Sequence, residues 1–387
     1  MISGASHQPA LKVSLKEIIP ELEIIRGLAF LAVVFQHTLG YYAQKPDIPL
    51  ADAAALGMIL HFTKFAVPAF VFVTGAVLFY NHYERINYSS FLLKRIKDIF
   101  VPYLLWTCIY EYYLNGVPTV TIQWLNEFAK IIITGTGIYH LWFVIMIFQF
   151  YLAYPLLLSS FKQIRNSIST RTGLFTTTSL LISLYASLMW LSYSYIPVKD
   201  IHFSSFYAQS FLIEYRDRNF LFYLFYFVIG GMAGVNITKW RSFISRSVSW
   251  NIFLFAALYI LVGYELLSGM LAGRIDFNYS TPLKPSMFFY AASEILLIYG
   301  LALTIVKYKS FITVLLSKLG NYSYGGYLAH ALVLIVVAKH LNQFIPPGHY
   351  VASSILTFFL CALGSTAITM ILGWLPFGKL LTGPIKR

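Results

Sequence analysis

Charged residues and cysteines are both scarce in this chain. Only 11% of its 387 residues are charged, whereas 58% are hydrophobic and 18% are aromatic, and the mean hydropathy is +0.69. A soluble domain carries about 25% charged residues, so this deficit excludes an ordinary soluble domain and predicts a polytopic membrane protein. The two cysteines, Cys108 and Cys361, both lie in apolar runs. Their position excludes a disulfide framework and a metal site built from cysteines.

The sequence also lacks several segments that would change its organisation. Residues 1–20 have neither the hydrophobic core nor the small-residue cleavage site of a secretory signal. No internal repeat stands out, and no loop is long enough to form a separate soluble domain. We therefore expect a cytoplasmic N-terminal tail over residues 1–20, one transmembrane domain over 21–378 and a short basic cytoplasmic tail over 379–387.

Long apolar stretches are abundant. A helix that crosses the hydrocarbon core of a bilayer needs about 20 residues. The apolar windows predict an all-α integral membrane protein with about ten transmembrane helices, near residues 24–42, 56–80, 99–115, 139–158, 174–194, 219–236, 251–268, 288–306, 320–339 and 351–375.

The basic residues are distributed unevenly between the loops. With the N-terminus inside, the segments expected in the cytosol hold 18 of the 28 Lys and Arg residues, and those expected outside hold eight. Positive residues concentrate in cytoplasmic loops, so this bias predicts a multi-pass protein of the plasma membrane with both termini cytoplasmic. The net charge of +13 therefore reflects orientation, and we expect no nucleic-acid partner.

Two local features bear on the helix boundaries. The segment around residues 116–138, GVPTVTIQWLNEFAKIIITGTG from Gly116 to Gly137, is either an interfacial amphipathic helix that ends at Gly135-Thr136-Gly137 or an ordinary connecting loop. Pro68 and Pro155 lie inside expected spans, where we expect them to kink the helix.

The first expected span, EIIRGLAFLAVVFQHTLGYY, carries two ionisable residues, Arg26 and His37, eleven positions apart. That spacing is roughly 16 Å along a helix and about 20° past three full turns, so both side chains lie on nearly the same face. Arg26 is expected at the cytoplasmic mouth and His37 at least halfway across. Arginine offers five donors suited to phosphate, and an uncharged histidine can act as a base. A donor with an anionic head and a long arm, such as coenzyme A, fits this spacing.

A simpler interpretation of this helix stays open. Arg26 could extend its charged group to the lipid headgroups, as long basic side chains near helix ends commonly do. His37 could form a hydrogen bond to a neighbouring helix. Neither residue would then take part in chemistry.

Six segments together carry a resemblance to a known family. The first is Glu23, then Arg26, then ten residues and His37. The other five follow in order: FAVPAFVFVTGAVLF (65–79), FLLKRIKDIFVPYLLW (91–106), YHLWFVIMIFQFYLAYPLL (139–157), FYLFYFVIGGMAG (222–234) and LGNYSYGGYLAHALV (319–333). Over about residues 20–380 they resemble the membrane acyltransferase 3 family.

This resemblance implies an enzyme that moves an acyl group, often acetyl, from a cytoplasmic thioester to a hydroxyl of an exported sugar, polymer or lipid. His37 matches the family's histidine and is expected to be the catalytic base. Arg26 matches its arginine and is expected to anchor the acyl-CoA, acetyl-CoA in the first instance, which acts as a co-substrate rather than a bound cofactor. Direct transfer and an acyl-histidine relay both remain open.

The basic loop departs from the family's usual Arg-x-x-Arg before the proline. Arg95 fits the first position, but Asp98 occupies the second. Lys94 and Lys97 keep the loop cationic, so these two lysines and Arg95 are expected to contact the donor. Alternatively, Arg95 is only an orientation signal.

Further polar side chains are expected in the outer half of the membrane. His330 is the first choice among them, because it lies in a family-like segment near the expected depth of His37. The other candidates for acceptor binding or support are Glu294, His140, Trp142 and Glu111. Each of them can equally be a hydrogen-bonded packing or interfacial residue. No HExxH-like spacing occurs, and we expect no metal site.

Two other function classes stay open. YSTPLKPSMFFY (279–290) looks like the branch of the family that resembles the poly-N-acetylglucosamine intercellular adhesin membrane protein, which favours an exporter of an exopolysaccharide. A transporter should show repeat symmetry and paired broken helices, and the sequence shows neither. A sensor or scaffold with a degenerate site is favoured only by Asp98. The expected partners are membrane lipid, acyl-CoA and a cell-envelope glycan acceptor.

Overall fold

The computed structural model describes residues 18–164, 170–199, 201–269, 275–345 and 348–385. The first 17 residues and the last two, which belong to the expected tails, lie outside these ranges. Across the described ranges the secondary structure is helical and contains no strand. The α-helices are α1 (Pro20–Ala43), α2 (Leu50–His61), α3 (Ala66–His82), α4 (Tyr88–Arg95), α5 (Val101–Asn115), α6 (Ile122–Thr134), α7 (Trp142–Ile164), α8 (Arg171–Trp190), α9 (Ile196–Lys199), α10 (Phe206–Gln209), α11 (Leu224–Val235), α12 (Ile237–Ser268), α13 (Pro285–Tyr308), α14 (Phe311–Phe344), α15 (Tyr350–Trp374) and α16 (Lys379–Thr382).

The protein is an all-α integral membrane protein. Within the described part of the chain, eight helices are long and apolar enough to cross a membrane by length and composition, when α2 and α3 are counted as one. Two of the ten expected windows coincide with the shorter helices α5 and α11. A turn at residues 62–65 divides the expected span 56–80 into α2 and α3. The count of ten and the cytoplasmic side of both termini remain predictions.

A π-helical turn, Ile96–Phe100, joins α4 to α5. The Val101 N–H donates to the Ile96 carbonyl, five residues back. Pro102 follows at once, and its ring would clash with the carbonyl four residues earlier in a regular helix, so a wider turn accommodates it. Such turns are frequent at functional sites. This one directly follows Lys94 and Arg95.

Glycines allow two pairs of helices to approach closely. A Cβ on Gly230 of α11 would overlap the carbonyl oxygen of Phe72 on α3, and a Cβ on Gly320 of α14 would overlap that of Glu23 on α1. Small residues at helix crossings let the backbones meet, which is a common way to join helices in a membrane. These crossings fix α3 against α11 and α1 against α14.

An ion pair between the partly exposed Arg241 and the buried Glu21 holds the N-terminal end of α1. Arg241 on α12 donates to Glu21 through Nε at 2.7 Å and Nη2 at 3.0 Å. The Tyr299 hydroxyl on α13 donates to the same carboxylate at 2.9 Å. Because Glu21 is buried, these donors are needed to offset the loss of its hydration. The start of α1 is thereby tied to α12 and α13.

The segment 116–138 contains the expected helix rather than a plain loop. Thr121 accepts a bond from the Trp124 N–H at the start of α6, and Gly135 ends the helix in the left-handed region with φ 68°. Glycine adopts this conformation without a steric penalty. Pro155 lies inside α7 as expected. Pro68 falls in the first turn of α3, shortly after the turn at residues 62–65 that breaks the expected span.

Candidate functional site

A cavity of about 530 Å³ lies between α1, α3, α4, α7 and α14. This volume is within the range of small-molecule sites. On α3 its lining runs from Asn81 to Phe70, which is eleven residues or roughly 16 Å of helix. Charged side chains lie at the Asn81 end, and Phe70, Phe143 and Tyr327 lie at the other. The cavity is therefore elongated, with one charged end and one apolar end.

Arg26 lies at the charged end. Its guanidinium forms an ion pair with Glu23 at 3.4 Å, which is long for a charge-assisted bond. Since Arg26 also lines the cavity, its remaining donors are available to an anionic ligand there. The continuous helix α1 carries His37 eleven residues further on, beyond the lining of the cavity.

The structure brings only part of the basic loop to this cavity. Lys94 and Arg95 line it, and so does Asp98, whereas Lys97 is exposed and does not. The Arg95 guanidinium stacks on the rings of Phe91 and Tyr151, at 5.1 Å from each centroid. This stacking holds the guanidinium between two rings beside the cavity, and both interpretations of Arg95 stay open.

Three histidines lie together beyond the apolar end of the cavity: His37 on α1, His330 on α14, and His140 just before α7. The ring centroids of His37 and His330 are 5.2 Å apart, and those of His140 and His330 are 4.5 Å apart. His140 and His330 are buried, and His37 is half-buried. We call His37, His140 and His330 the histidine cluster. The sequence placed these residues in one half of the membrane, and the packing of α1, α7 and α14 brings them into contact.

One member of the histidine cluster has a defined tautomer. The His330 Nδ1 lies 2.6 Å from the carbonyl oxygen of Tyr327, so Nδ1 must carry the proton. The Nε2 atom is then the lone-pair acceptor, and it is buried without a partner in the described structure. Both ring nitrogens of His140 are likewise buried without a well-formed hydrogen bond, beside the backbone of Tyr327 and Leu328. Buried polar atoms of this kind normally find a hydrogen bond, so they mark a place for a ligand or water.

Tyr327 connects the cavity to the histidine cluster. Its side chain lines the cavity, and its ring centroid lies 5.1 Å from that of His140 and 5.7 Å from that of His330. Its hydroxyl donates to the backbone carbonyl of His140. Our sequence reasoning did not single out Tyr327. A signal was present, because Tyr327 precedes His330 by three residues and such positions share a helix face.

Tyr139 borders the histidine cluster, and the candidate Trp142 begins α7 three residues further on. The Tyr139 ring lies 4.6 Å from that of His37 and is 48% exposed, so it offers an open face beside the candidate base. Trp142 is half-buried and lies 6.1 Å from the Tyr223 ring. The Tyr139 ring is therefore an exposed aromatic face next to His37. Tyr139 belongs to the YHLW segment (139–142), an aromatic platform in the sequence, of which only His140 and Trp142 were candidate site residues.

The structure does not bring Glu294 or Glu111 into the histidine cluster. Glu294 is buried on α13, and its neighbours are Tyr290 and the backbone of Phe65. Glu111 on α5 accepts a bond from Asn115 at 2.8 Å. Among the described residues, no group of three or more His, Cys, Asp or Glu side chains has an arrangement that could hold a metal ion.

Comparison with known proteins gives one family and several relatives. A family described as an acyltransferase domain matches residues 19–374. A Bacillus subtilis protein named as a membrane-bound acyltransferase is 24% identical over 95% of each chain. A Staphylococcus aureus protein named as a poly-β-1,6-N-acetyl-D-glucosamine export protein is 23% identical over 85% of this chain and 86% of its own. A Staphylococcus epidermidis protein with the same name is 24% identical over 84% of this chain and 83% of its own. No solved structure matches the chain.

Proposed function

The chain belongs to the acyltransferase family that matches residues 19–374, and from that membership we propose its reaction. It moves an acyl group, acetyl in the first instance, from a cytoplasmic acyl-CoA to a hydroxyl of an exported polysaccharide. The observation that supports this most is the arrangement along α1 and α14. A cationic cavity lies at one end, and the histidine cluster lies just beyond the other, with Tyr327 between them.

The donor occupies the cavity with its phosphates at the charged end. Arg26, Lys94 and Arg95 line that end, and arginine in particular binds phosphate through paired donors. The pantetheine arm then follows the roughly 16 Å from Asn81 to Phe70 toward the apolar end. This orientation directs the thioester toward the histidine cluster.

The chemical step needs a base beside the acceptor hydroxyl, and His37 takes that role. Its imidazole removes the hydroxyl proton as the oxygen attacks the thioester carbonyl carbon. The new C–O bond forms, the C–S bond breaks, and the departing thiolate takes a proton to leave as the free thiol of coenzyme A. Direct transfer of this kind uses one histidine at the reacting centre.

The neighbours of His37 support the same step. The unpartnered Nε2 of His330 lies in a ring 5.2 Å from that of His37, so it can hold a proton or the acceptor hydroxyl. A relay in which a histidine carries the acyl group would use the same cluster in two half-reactions. On the exposed side, Tyr139 offers a ring against which a pyranose of the acceptor can lie, and the half-buried Trp142 is the second candidate for this contact.

Two substitutions test the roles of His37 and Arg26. In a strain without the native protein, His37→Ala is expected to lower O-acylation of the surface polysaccharide by roughly 10²–10⁴-fold, the usual contribution of a positioned base. Arg26→Ala is expected to abolish it by weakening the donor site. Protein level and the amount of secreted polymer should persist. Mass spectrometry of acyl esters on the surface glycan measures the effect.

Matched controls are available on exposed helix surfaces. His340 on α14 and Arg246 on α12 are both exposed, so His340→Ala and Arg246→Ala should leave acylation unchanged. Normal acyl content in the His37→Ala strain, with both controls also normal, would rule out His37 as the base.

Export is the second candidate, because two of the relatives are named as export proteins. It predicts a different result from the same strains. The His37→Ala and Arg26→Ala variants would lose secreted polymer, while the acyl content of each remaining polymer chain would stay normal. Measuring polymer amount and acyl content in the same samples separates the two functions.

A further inference from the structure

Three aromatic rings close the apolar end of the cavity, and we call them the aromatic wall: Phe70, Phe143 and Tyr327. All three line the cavity. The Phe143 ring is central, with its centroid 5.7 Å from that of Phe70 and 5.6 Å from that of Tyr327. The wall is therefore continuous across three helices, α3, α7 and α14.

The aromatic wall separates the cavity from the histidine cluster. None of the three histidines lines the cavity, whereas Tyr327 has ring contacts with both His140 and His330 on the far side. The hydroxyl of Tyr327 donates to the His140 carbonyl, which holds the ring in this position. A group that travels from the cavity to the histidines must pass these rings.

The cavity side of the wall is apolar around Phe143, and the hydroxyls of Thr74 and Ser323, one helical turn from Phe70 and Tyr327, already donate to backbone carbonyls. Val144 and Ile147 line the cavity beside Phe143, and none of these three side chains can bind a charge. A carboxylate placed there would lose its hydration without a replacement partner, which is strongly unfavourable. A long alkyl chain would need the volume that the rings occupy.

We propose that the aromatic wall selects the acyl group of the donor, an inference that rests on the proposed function. A short, uncharged acyl group, such as acetyl, is the one that passes the rings of Phe143 and Tyr327 to reach His37. A butyryl group adds methylenes that would meet these rings, and a succinyl group brings a carboxylate that the wall cannot hydrate. Donor selection then lies in this wall and not in the basic residues that bind the phosphates.

Binding measurements test this without knowledge of the acceptor. The full chain in detergent is titrated calorimetrically with coenzyme A, acetyl-CoA, butyryl-CoA and succinyl-CoA. The unmodified protein should bind the first two most tightly. Phe143→Ala opens the wall and should strengthen butyryl-CoA binding, relative to coenzyme A, by roughly tenfold, as expected for added methylenes in an apolar pocket. Tyr327→Phe keeps the ring and should keep the ranking.

Phe148→Ala is the matched control. Phe148 lies on α7 like Phe143, but its ring packs on Phe100 at 5.0 Å and does not line the cavity. This variant should keep the original ranking of donors. If Phe143→Ala does not yield folded protein, Phe143→Leu provides a smaller opening, and retained coenzyme A binding shows that it is folded.

The outcomes separate this inference from the proposed function. If the unmodified protein binds no coenzyme A, the donor site itself is refuted. If it binds coenzyme A but does not discriminate acetyl from butyryl, or if the opened wall leaves the ranking unchanged, the donor site stands and the selective role of the wall is overturned.

Discussion

At the scale of single residues, Asp98 is the side chain that sets this chain apart from the pattern its basic loop resembles. It lines the cavity together with Arg26, Lys94 and Arg95. A carboxylate there repels the phosphates of an anionic donor, and this repulsion is stronger in a partly buried site than in water. The positive potential of the cavity is therefore partly cancelled, which would weaken the proposed donor site.

Neutralising Asp98 should strengthen donor binding. Asp98→Asn is expected to tighten coenzyme A binding by roughly two- to tenfold, because it removes a like-charge repulsion, and the gain should shrink at high salt. Titrations at two salt concentrations measure both effects. Glu84→Gln is the control, because Glu84 is exposed and lies outside the cavity lining. Equal binding by the Asp98 variant and the unmodified protein would contradict this prediction.

At the scale of helices, the position of the site depends on close glycine crossings. The cavity lies between α1, α3, α7 and α14, and the crossings of α1 with α14 and of α3 with α11 set how these helices pack. The ion pair between Arg241 and the buried Glu21 ties the start of α1 to α12. The distance between Arg26 and His37 along the membrane normal is thus set by α1 alone. Which residues of other helices they contact depends on these crossings.

A methyl group at a crossing should destabilise the protein. Gly230→Ala places a Cβ against the Phe72 carbonyl, and overpacking of this kind typically costs about 1–3 kcal/mol. Thermal unfolding in detergent measures the effect. Gly40→Ala is the control, because a Cβ on Gly40 of α1 would meet no atom within 4 Å, and alanine favours helices. If the two variants unfold at the same temperature, the crossing does not carry the stability that we assign to it.

At the scale of the whole molecule, the orientation in the membrane decides which substrate reaches which end of the site. The charged end of the cavity lies near the start of α1 and the end of α3. The distribution of basic residues predicts that this side faces the cytosol, where acyl-CoA is found. The exposed ring of Tyr139, next to His37, would then face the outer side, where an exported glycan is found.

Cysteine labelling tests this orientation. Val117, between α5 and α6, is 82% exposed, and Glu84, between α3 and α4, is also exposed. In a Cys108→Ala background, with the buried Cys361 left in place, Val117→Cys should react with a membrane-impermeant maleimide in intact cells. Glu84→Cys should react only after the cells are opened. The reverse pattern would invert the topology and remove cytosolic access to the basic end.

The sequence and the structure agree best where the relevant property is local. The helix α1 is continuous from Pro20 to Ala43, so the calculated same-face relation of Arg26 and His37 holds for it. The helix at 122–134 and its end at Gly135 also follow from local signals. The polar residues expected in the outer half of the membrane were harder to rank as site candidates. Their expected depth does not say which helices face each other.

The sequence by itself determined the membrane class, the resemblance that the family match confirms, and the alignment of Arg26 with His37, because hydropathy and helical period depend only on neighbours along one segment. Only the tertiary structure decided that His140 and His330 join His37, that Glu294 lies instead beside Tyr290, and that Tyr327 stands between cavity and cluster. Contacts between helices depend on their mutual rotation and distance, which residues far apart in the chain set through packing.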